Sequence, residues 1–258
     1  MTWTTRPRSD FGTLAAIVAG QGPQLLLIHG VGLRAESWGS QIDAFAQTHR
    51  VVAVDLPGHG HSAALPAKAG LSEFSAALAA CLDRPSIVIG HSFGAMIALD
   101  LAVHHPHHVA GVAALNAVFR RSPAARDAVV ARANSLDGVQ SADPGGPLER
   151  WFGSDASPER AACEAWLRGV DPAGYKAAYS VFAKQDGPQD AQCGRLHCPA
   201  LYMTGANEPN STPEMSRRMA ELTPKGRAVV IAGAAHMMPM THAPEVNKTL
   251  MQFAQECF

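Results

Sequence analysis

The feature that most limits how this chain can fold is its succession of short, largely apolar runs: residues 25–28, 51–54, 86–89, 109–115, 200–203 and 228–231. None alternates polar with apolar positions as a half-exposed antiparallel strand would. Such runs suit strands covered on both faces, the setting of a parallel sheet. Segments of helical length separate most of them, at 37–48, 72–83, 93–105, 212–222 and 243–257. Alternation in that order predicts an α/β fold with helices on both faces of a mostly parallel sheet. Residues 12–18 are expected to add an edge strand before the first run.

The alternation fails once, between 117 and 195. No buried-strand run occurs there, and breaks fall at Asp143-Pro144-Gly145-Gly146-Pro147, Ser157-Pro158, Asp171-Pro172 and Gly187-Pro188. The intervals read as short helices bearing Trp151, Phe152, Trp166, Tyr175, Tyr179 and Phe182. A structureless loop of that length is improbable in a compact domain. The expectation is a core domain of residues 1–116 and 196–258, with a helical cap, 117–195, inserted after the sixth strand.

Lys and Arg total 21 and Asp and Glu 22, so the net charge is −1. No long-range field draws such a chain to nucleic acid or to an anionic membrane. No stretch approaches the roughly 18 uninterrupted apolar residues of a membrane span. Residues 1–10, with Trp3, two arginines and a proline, lack the apolar segment of a signal peptide. Five scattered cysteines, Cys81, Cys163, Cys193, Cys198 and Cys257, are odd in number and too sparse for a disulfide scaffold. They are expected to be reduced thiols of a cytoplasmic protein.

Chemistry concentrates at Gly90-His91-Ser92-Phe93-Gly94, which follows one apolar run and opens a helical segment. A nucleophile on a sharp strand-to-helix turn needs small residues on both sides, because the tight approach leaves no room for a Cβ. Ser92 would also lie at a helix N-terminus, where free N–H groups favour an oxyanion. The bland alternative is a serine that caps the helix.

A serine hydroxyl needs a base to take its proton, commonly a histidine oriented by a carboxylate. In a Ser, acid, His order the acid follows the seventh strand and the histidine the eighth. No aspartate occurs after Asp190, and Glu208 is the one carboxylate between run 200–203 and the next helix. Glu214 is the alternative, although an acid in a first helical turn commonly complements the helix dipole. Only His236 and His242 follow Glu208. His236 sits in a loop after run 228–231, whereas His242 borders a helix start, so His236 is preferred. The backbone amides of Phe93 and Val31 are expected to bind the oxyanion, with Gly30 and Gly32 allowing the approach. His29 reads most simply as a buried ring bonded to loop backbone, and is kept as a possible substrate contact.

His29-Gly30-Val31-Gly32, Asp55 to Ser62, Gly90 to Gly94, Gly205-x-x-Glu208 and Gly233-x-x-His236 together resemble the α/β-hydrolase fold family over nearly the whole chain. Its small, helically capped members include carboxylesterases such as the pimeloyl-carrier methyl esterase, enol-lactonases and carbon–carbon bond hydrolases. The resemblance implies an eight-stranded mostly parallel sheet, a Ser-acid-His triad, no cofactor, and a structural loop at Asp55 to Ser62. A glutamate at the acid position departs from the usual aspartate. A serine nucleophile argues against the epoxide hydrolase and haloalkane dehalogenase branches, which need a carboxylate there.

Weaker signals remain. His104, His105, His107 and His108 flank Pro106, but no carboxylate or thiol completes a metal site and none is expected. Arg120 and Arg121, just after the sixth strand, could each pair with a substrate carboxylate or with the cap. Trp151, Trp166 and Tyr179 are candidate pocket aromatics, and Met237 a candidate pliable wall beside His236. The expected activity is hydrolysis of a small carboxylic ester through an acyl-enzyme on Ser92, His236 and Glu208. Carbon–carbon or enol-lactone hydrolysis, and noncatalytic ligand binding on the same scaffold, are the alternatives. A small ester or related acyl compound is the expected partner, and the oligomeric state is left open.

Overall fold

The structure, a computed structural model, describes residues 3–257. Met1, Thr2 and Phe258, which fall within the expected core boundaries, lie outside the described residues. Strands β1 (Ser9–Phe11), β2 (Leu14–Ala19), β3 (Gln24–Ile28), β4 (Arg50–Val54), β5 (Ser86–His91), β6 (Val109–Leu115), β7 (Ala200–Gly205) and β8 (Gly226–Ile231) form one sheet in the order β1-β2-β4-β3-β5-β6-β7-β8. β1 and β2 pair antiparallel, as do β2 and β4; every other pairing is parallel. The fold is the eight-stranded, mostly parallel α/β sheet expected. The single edge strand expected at 12–18 is instead the hairpin β1–β2, turning at Gly12 with φ 61°.

Unbroken apolarity in the strands follows from two covered faces. Leu26, Ile28, Val52, Val54, Val88 and Val112 pack on one side against α2 (Leu71–Ala79) and α3 (Phe93–His104). Their neighbours Leu25, Leu27, Val51, Ala53, Ile87 and Ile89 face the other way, against α1 (Gly39–Phe45) and α11 (Ala243–Ala254), as a period of two requires. α3 is apolar on every side because it is enclosed, with Phe93 to Leu99, Leu101 and Ala102 all buried.

Between β6 and β7 the chain makes α4 (Pro123–Ser135), α5 (Gly145–Phe152), α6 (Pro158–Gly169), α7 (Pro172–Lys184) and the short α8 (Asp190–Cys193), with no strand. After β7 come α9 (Pro213–Leu222) and, before α11, the short α10 (Met238–Thr241). The Ser-Pro and Asp-Pro breaks of the sequence are helix starts. Ser122, Ser157 and Asp171 cap α4, α6 and α7 with their side chains, and a proline follows each, where its missing N–H costs nothing. Leu148, Cys163, Trp166, Leu167 and Tyr175 of the insertion pack on Leu33, Met237 and Met240 of the core.

The two ends of the insertion are fastened together. Arg120 N–H donates to the Asp186 carbonyl at 2.9 Å, Arg121 bonds the Gln185 carbonyl and the Asp186 carboxylate, and Arg126 and Arg120 form ion pairs with Asp186 and Asp190. On the opposite flank of the sheet, Arg8 bridges Glu36 at 2.6 Å and Asp55 at 2.8 Å. Asp55 also accepts the amides of Ala35 and His61, which ties the loop after β4 into place. No helix among the described residues is long and apolar enough to cross a membrane.

Candidate active site

Ser92 lies between the end of β5 and the start of α3 with φ 57° and ψ −118°, a left-handed conformation that is strained for a residue with a Cβ. The surrounding backbone holds it there. A Cβ on Gly90 would collide with the Gly94 carbonyl, and one on Gly94 with the carbonyls of Ile28 and His29. Both glycines are therefore demanded by close approach, and Ser92 N–H is fixed to the Leu115 carbonyl at 2.8 Å.

Parallel strands deliver their loops to one edge of the sheet, where ligand sites form in open α/β folds. β7 leads into the loop carrying Glu208, and β8 into the loop carrying His236. The two loops are laced together, Ala206 N–H donating to the Ile231 carbonyl at 2.9 Å and Asn207 N–H to the Ala234 carbonyl at 2.8 Å. Glu208 is 3% exposed. Its Oε2 lies 2.6 Å from His236 Nδ1 and accepts Asn116 Nδ2 at 3.3 Å, while Oε1 accepts the amides of Asn210 at 2.8 Å and Ser211 at 3.3 Å. Burial alone would raise the Glu208 carboxyl, but the His236 charge and hydrogen bond and the two amides outweigh it and hold the group at about 2. An ionised carboxylate only accepts, so the proton sits on His236 Nδ1 and Nε2 is left as the basic nitrogen.

The imidazole is held from three sides. Trp151 stacks on it at 5.5 Å between centroids and 18° between planes, and the His91 ring lies 4.9 Å away. His91 Nε2 donates to the His236 carbonyl at 2.8 Å. Burial and then the nearby His236 push the His91 ring down to about 3, so it remains a neutral strut beside the site.

Ser92 and His236 line a cavity of about 270 Å³, together with Val31 and Asn116 of the core. The insertion contributes Arg121, Arg132, Arg150, Trp151, Tyr175 and Tyr179. Val31 shares this cavity with Ser92 and follows Gly30, on which a Cβ would come to 3.1 Å from the Ser92 Cβ; the neighbouring Gly32 amide is occupied by His59 Nε2 at 3.0 Å. Phe93, whose ring is buried against Phe74 at 5.3 Å, opens α3, so its amide has no acceptor within the helix. The structure therefore brings Ser92, His236, Val31, Arg121, Trp151 and Tyr179 to one cavity, with Glu208 behind His236.

Other candidates fall elsewhere. His29 is fully buried, its Nδ1 donating to the Gly30 carbonyl at 2.7 Å and its Nε2 accepting Leu56 N–H at 2.9 Å; with both nitrogens used it is no substrate contact. Arg120 is turned outward onto Asp190. Trp166 and Met237 are packed in the contact between insertion and core rather than on the cavity. Glu214 is exposed beside Arg217, and His242 pairs with Thr241. The histidines at 104–108 are spread over the end of α3 and a following 3-10 turn, and among the described residues no three His, Cys, Asp or Glu side chains form a metal-binding group. Sequence reasoning passed over Arg132, Arg150 and Asn116. Asn116 was the findable one, since it directly follows a strand at the edge where ligand sites form.

Comparison with known proteins agrees with this architecture. Residues 23–243 match the alpha/beta hydrolase fold family. The (E)-2-((N-methylformamido)methylene)succinate hydrolase of Acinetobacter baylyi is 39% identical over 92% of each chain. The pimeloyl-[acyl-carrier protein] methyl ester esterase of Chromobacterium violaceum is 30% identical over 90% of this chain and 94% of its own. The crystal structure of the enol-lactonase from Burkholderia xenovorans superposes with a TM-score of 0.85 at 22% identity, covering 97% of this chain and 100% of that one; at that identity the likeness concerns the fold. Sheet order, family match and full-length relatives converge: the chain belongs to the alpha/beta hydrolase fold family and is a hydrolase.

Proposed function

We propose that this hydrolase cleaves a small carboxylic ester through an acyl-enzyme on Ser92. The observation that carries the reading is His236, whose Nδ1 proton is held by a buried, ionised Glu208 while its ring lines the same cavity as Ser92. In this mechanism Nε2 of His236 takes the Ser92 proton as Oγ attacks the carbonyl carbon, and the amides of Val31 and Phe93 bind the oxyanion. The C–O bond then breaks, and His236 returns the proton to the departing alcohol. Water repeats the sequence on the acyl-enzyme, releasing the acid and restoring Ser92. Glu208 stays ionised throughout, orienting the ring and stabilising its charged form.

The helical insertion, 117–195, serves here as a cap that excludes bulk water above a core of 1–116 and 196–258. A cytoplasmic setting belongs to the same reading, supported by five cysteines that stand unpaired. Replacing Ser92 by Ala tests the proposal: turnover of 4-nitrophenyl acetate and labelling by a fluorophosphonate are lost while the circular dichroism spectrum is kept. Unchanged turnover overturns it, and absent labelling of the wild type favours a noncatalytic binder.

The relative named for methylene-succinate hydrolysis favours a second reading, an acyl bond other than an alkyl ester. Enol-lactone opening and carbon–carbon cleavage belong with it, since each begins at a carbonyl. A panel of esters, lactones and dienoic ketones separates the two.

A further inference from the structure

The cavity beside Ser92 is lined by three guanidinium groups, Arg121, Arg132 and Arg150, and by no carboxylate side chain among the described residues. In a chain whose net charge is −1, that local excess of positive charge is built by placement. The three arginines are not equivalent. Arg121 is already committed: it bonds the Gln185 carbonyl and Asp186, and lies 4.4 Å over the Phe182 ring. It fastens the stem of the insertion.

Arg132 has no comparable partner. Its one protein acceptor is the Tyr175 hydroxyl at 3.5 Å, its Nε is buried with no hydrogen bond, and its charge lies 5.6 Å over the Tyr179 ring. Asp143 acts on it only at a distance. Neither Arg132 nor Arg150 is within ion-pairing distance of a carboxylate among the described residues. A partly buried guanidinium with an unsatisfied N–H is unfavourable unless something completes it. Its planar fork matches a carboxylate.

We infer that the substrate of this site carries a free carboxylate, read by Arg132 of α4 and Arg150 of α5, at the end remote from the carbonyl that Ser92 attacks. The inference rests on the hydrolase reading above and names its substrate class: a hemiester, or similar acyl derivative, of a short dicarboxylic acid. The small cavity suits a short chain, and the aromatic rings of Tyr175 and Tyr179 flank its apolar middle. Of the two roles the sequence left open for Arg120 and Arg121, a substrate carboxylate or the cap, the ion pairs with Asp190 and Asp186 favour the second.

The test compares 4-nitrophenyl hemiglutarate with 4-nitrophenyl valerate, and measures glutarate binding by calorimetry. The wild type should favour the hemiester in kcat/KM by about tenfold or more, the weight of one charge-assisted hydrogen-bond set. That ratio should fall by about as much in Arg132→Gln and in Arg150→Gln, recover in part in Arg132→Lys, and stay unchanged in Arg120→Gln. A wild-type ratio near one, or a ratio unmoved in both glutamine variants, overturns the inference. Equal turnover of both esters without glutarate binding removes the carboxylate site and leaves the hydrolase reading standing. Saturable glutarate binding, lost in Arg132→Gln, with neither ester turned over does the reverse. The wild-type ratio and binding decide the matter even where a variant fails to fold.

Discussion

His236 Nδ1 lies 2.6 Å from Glu208 Oε2, while Oε1 of the same carboxylate is held by the amides of Asn210 and Ser211. The loop grips one oxygen and presents the other, so the extra methylene of glutamate is used by the loop that supports it. Glu208→Gln keeps the shape but offers an amide that can present N–H to the ring and favour the wrong tautomer. The expected result is a fall in kcat of about 10³–10⁴-fold with little change in KM. Glu208→Asp should also lose activity, because the shortened side chain cannot keep both the amides and the imidazole. Steady-state kinetics on a common nitrophenyl ester measures both.

Asn116 donates to Glu208 Oε2 and to Thr204 Oγ1, each at 3.3 Å, and its Oδ1 is buried without a partner. Asn116→Asp would put a second carboxylate beside the first. Like charges disfavour ionisation of both and favour protonation of the nearby imidazole. The acid limb of the kcat/KM profile should therefore move to higher pH, and Asn116→Ala should lower kcat without that displacement.

His91 acts on the site through the carbonyl of His236, to which it donates at 2.8 Å. Its removal in His91→Ala leaves a void against Trp38, whose ring lies 6.4 Å away, and frees the loop that carries the base. A drop in kcat of about 10-fold or more, the scale of a displaced catalytic group, is expected with KM nearly unchanged. A KM effect without a kcat effect would count against a positioning role.

Acid should destabilise the fold well before the carboxylates protonate. Burial holds His29 at about 4, and burial with its neighbouring charges holds His59 and His91 at about 3. An unfolded chain takes up protons at these rings as pH falls below about 6.5, whereas the folded chain does not until about pH 4 to 3. Stability is thus complete above about pH 6.5 and declines as pH falls toward the folded values, by roughly 1–2 kcal/mol per ring between pH 7 and 5. Each kcal/mol corresponds to about 2–4 °C in a chain of this size, so a thermal midpoint unchanged between pH 7 and 5 would refute the assignment of neutral rings.

The mostly parallel sheet and the turn carrying Ser92 were legible in the sequence because each rests on a local signal, whereas Glu208 and His236 were expected from their order along the chain and by elimination of the other acids and histidines. Apolar runs mark doubly covered strands, and Gly90 and Gly94 mark a turn with no room for a Cβ. The insertion was legible as helical but not in its packing. Four arginines, Arg120, Arg121, Arg132 and Arg150, look alike in sequence; what separates them is whether a carboxylate such as Asp186 or Asp190 has folded back to meet them. Similarly, Trp151 and Trp166 differ in which side of a helix meets His236 and which meets Leu33, and short insertion helices carry little periodicity to tell them apart. Asn116 could be placed at the strand edge, but not beside Glu208, since that contact joins loops 92 residues apart.

The fastened stem of the insertion has a consequence for how such molecules can diversify. Arg120 and Asp186 bring the outgoing and returning chain side by side, so the excursion between them begins and ends at nearly one point. The path of the sheet is then set independently of the length of the excursion. A segment of different length or sequence can be spliced at this junction without re-routing the sheet, but it must still supply a ring to stack on His236 as Trp151 does and side chains to cover Leu33, Met237 and Met240. A chimera spliced between Arg120 and Asp186 that keeps an aromatic ring at the position of Trp151 should retain its reaction and change its choice of substrate.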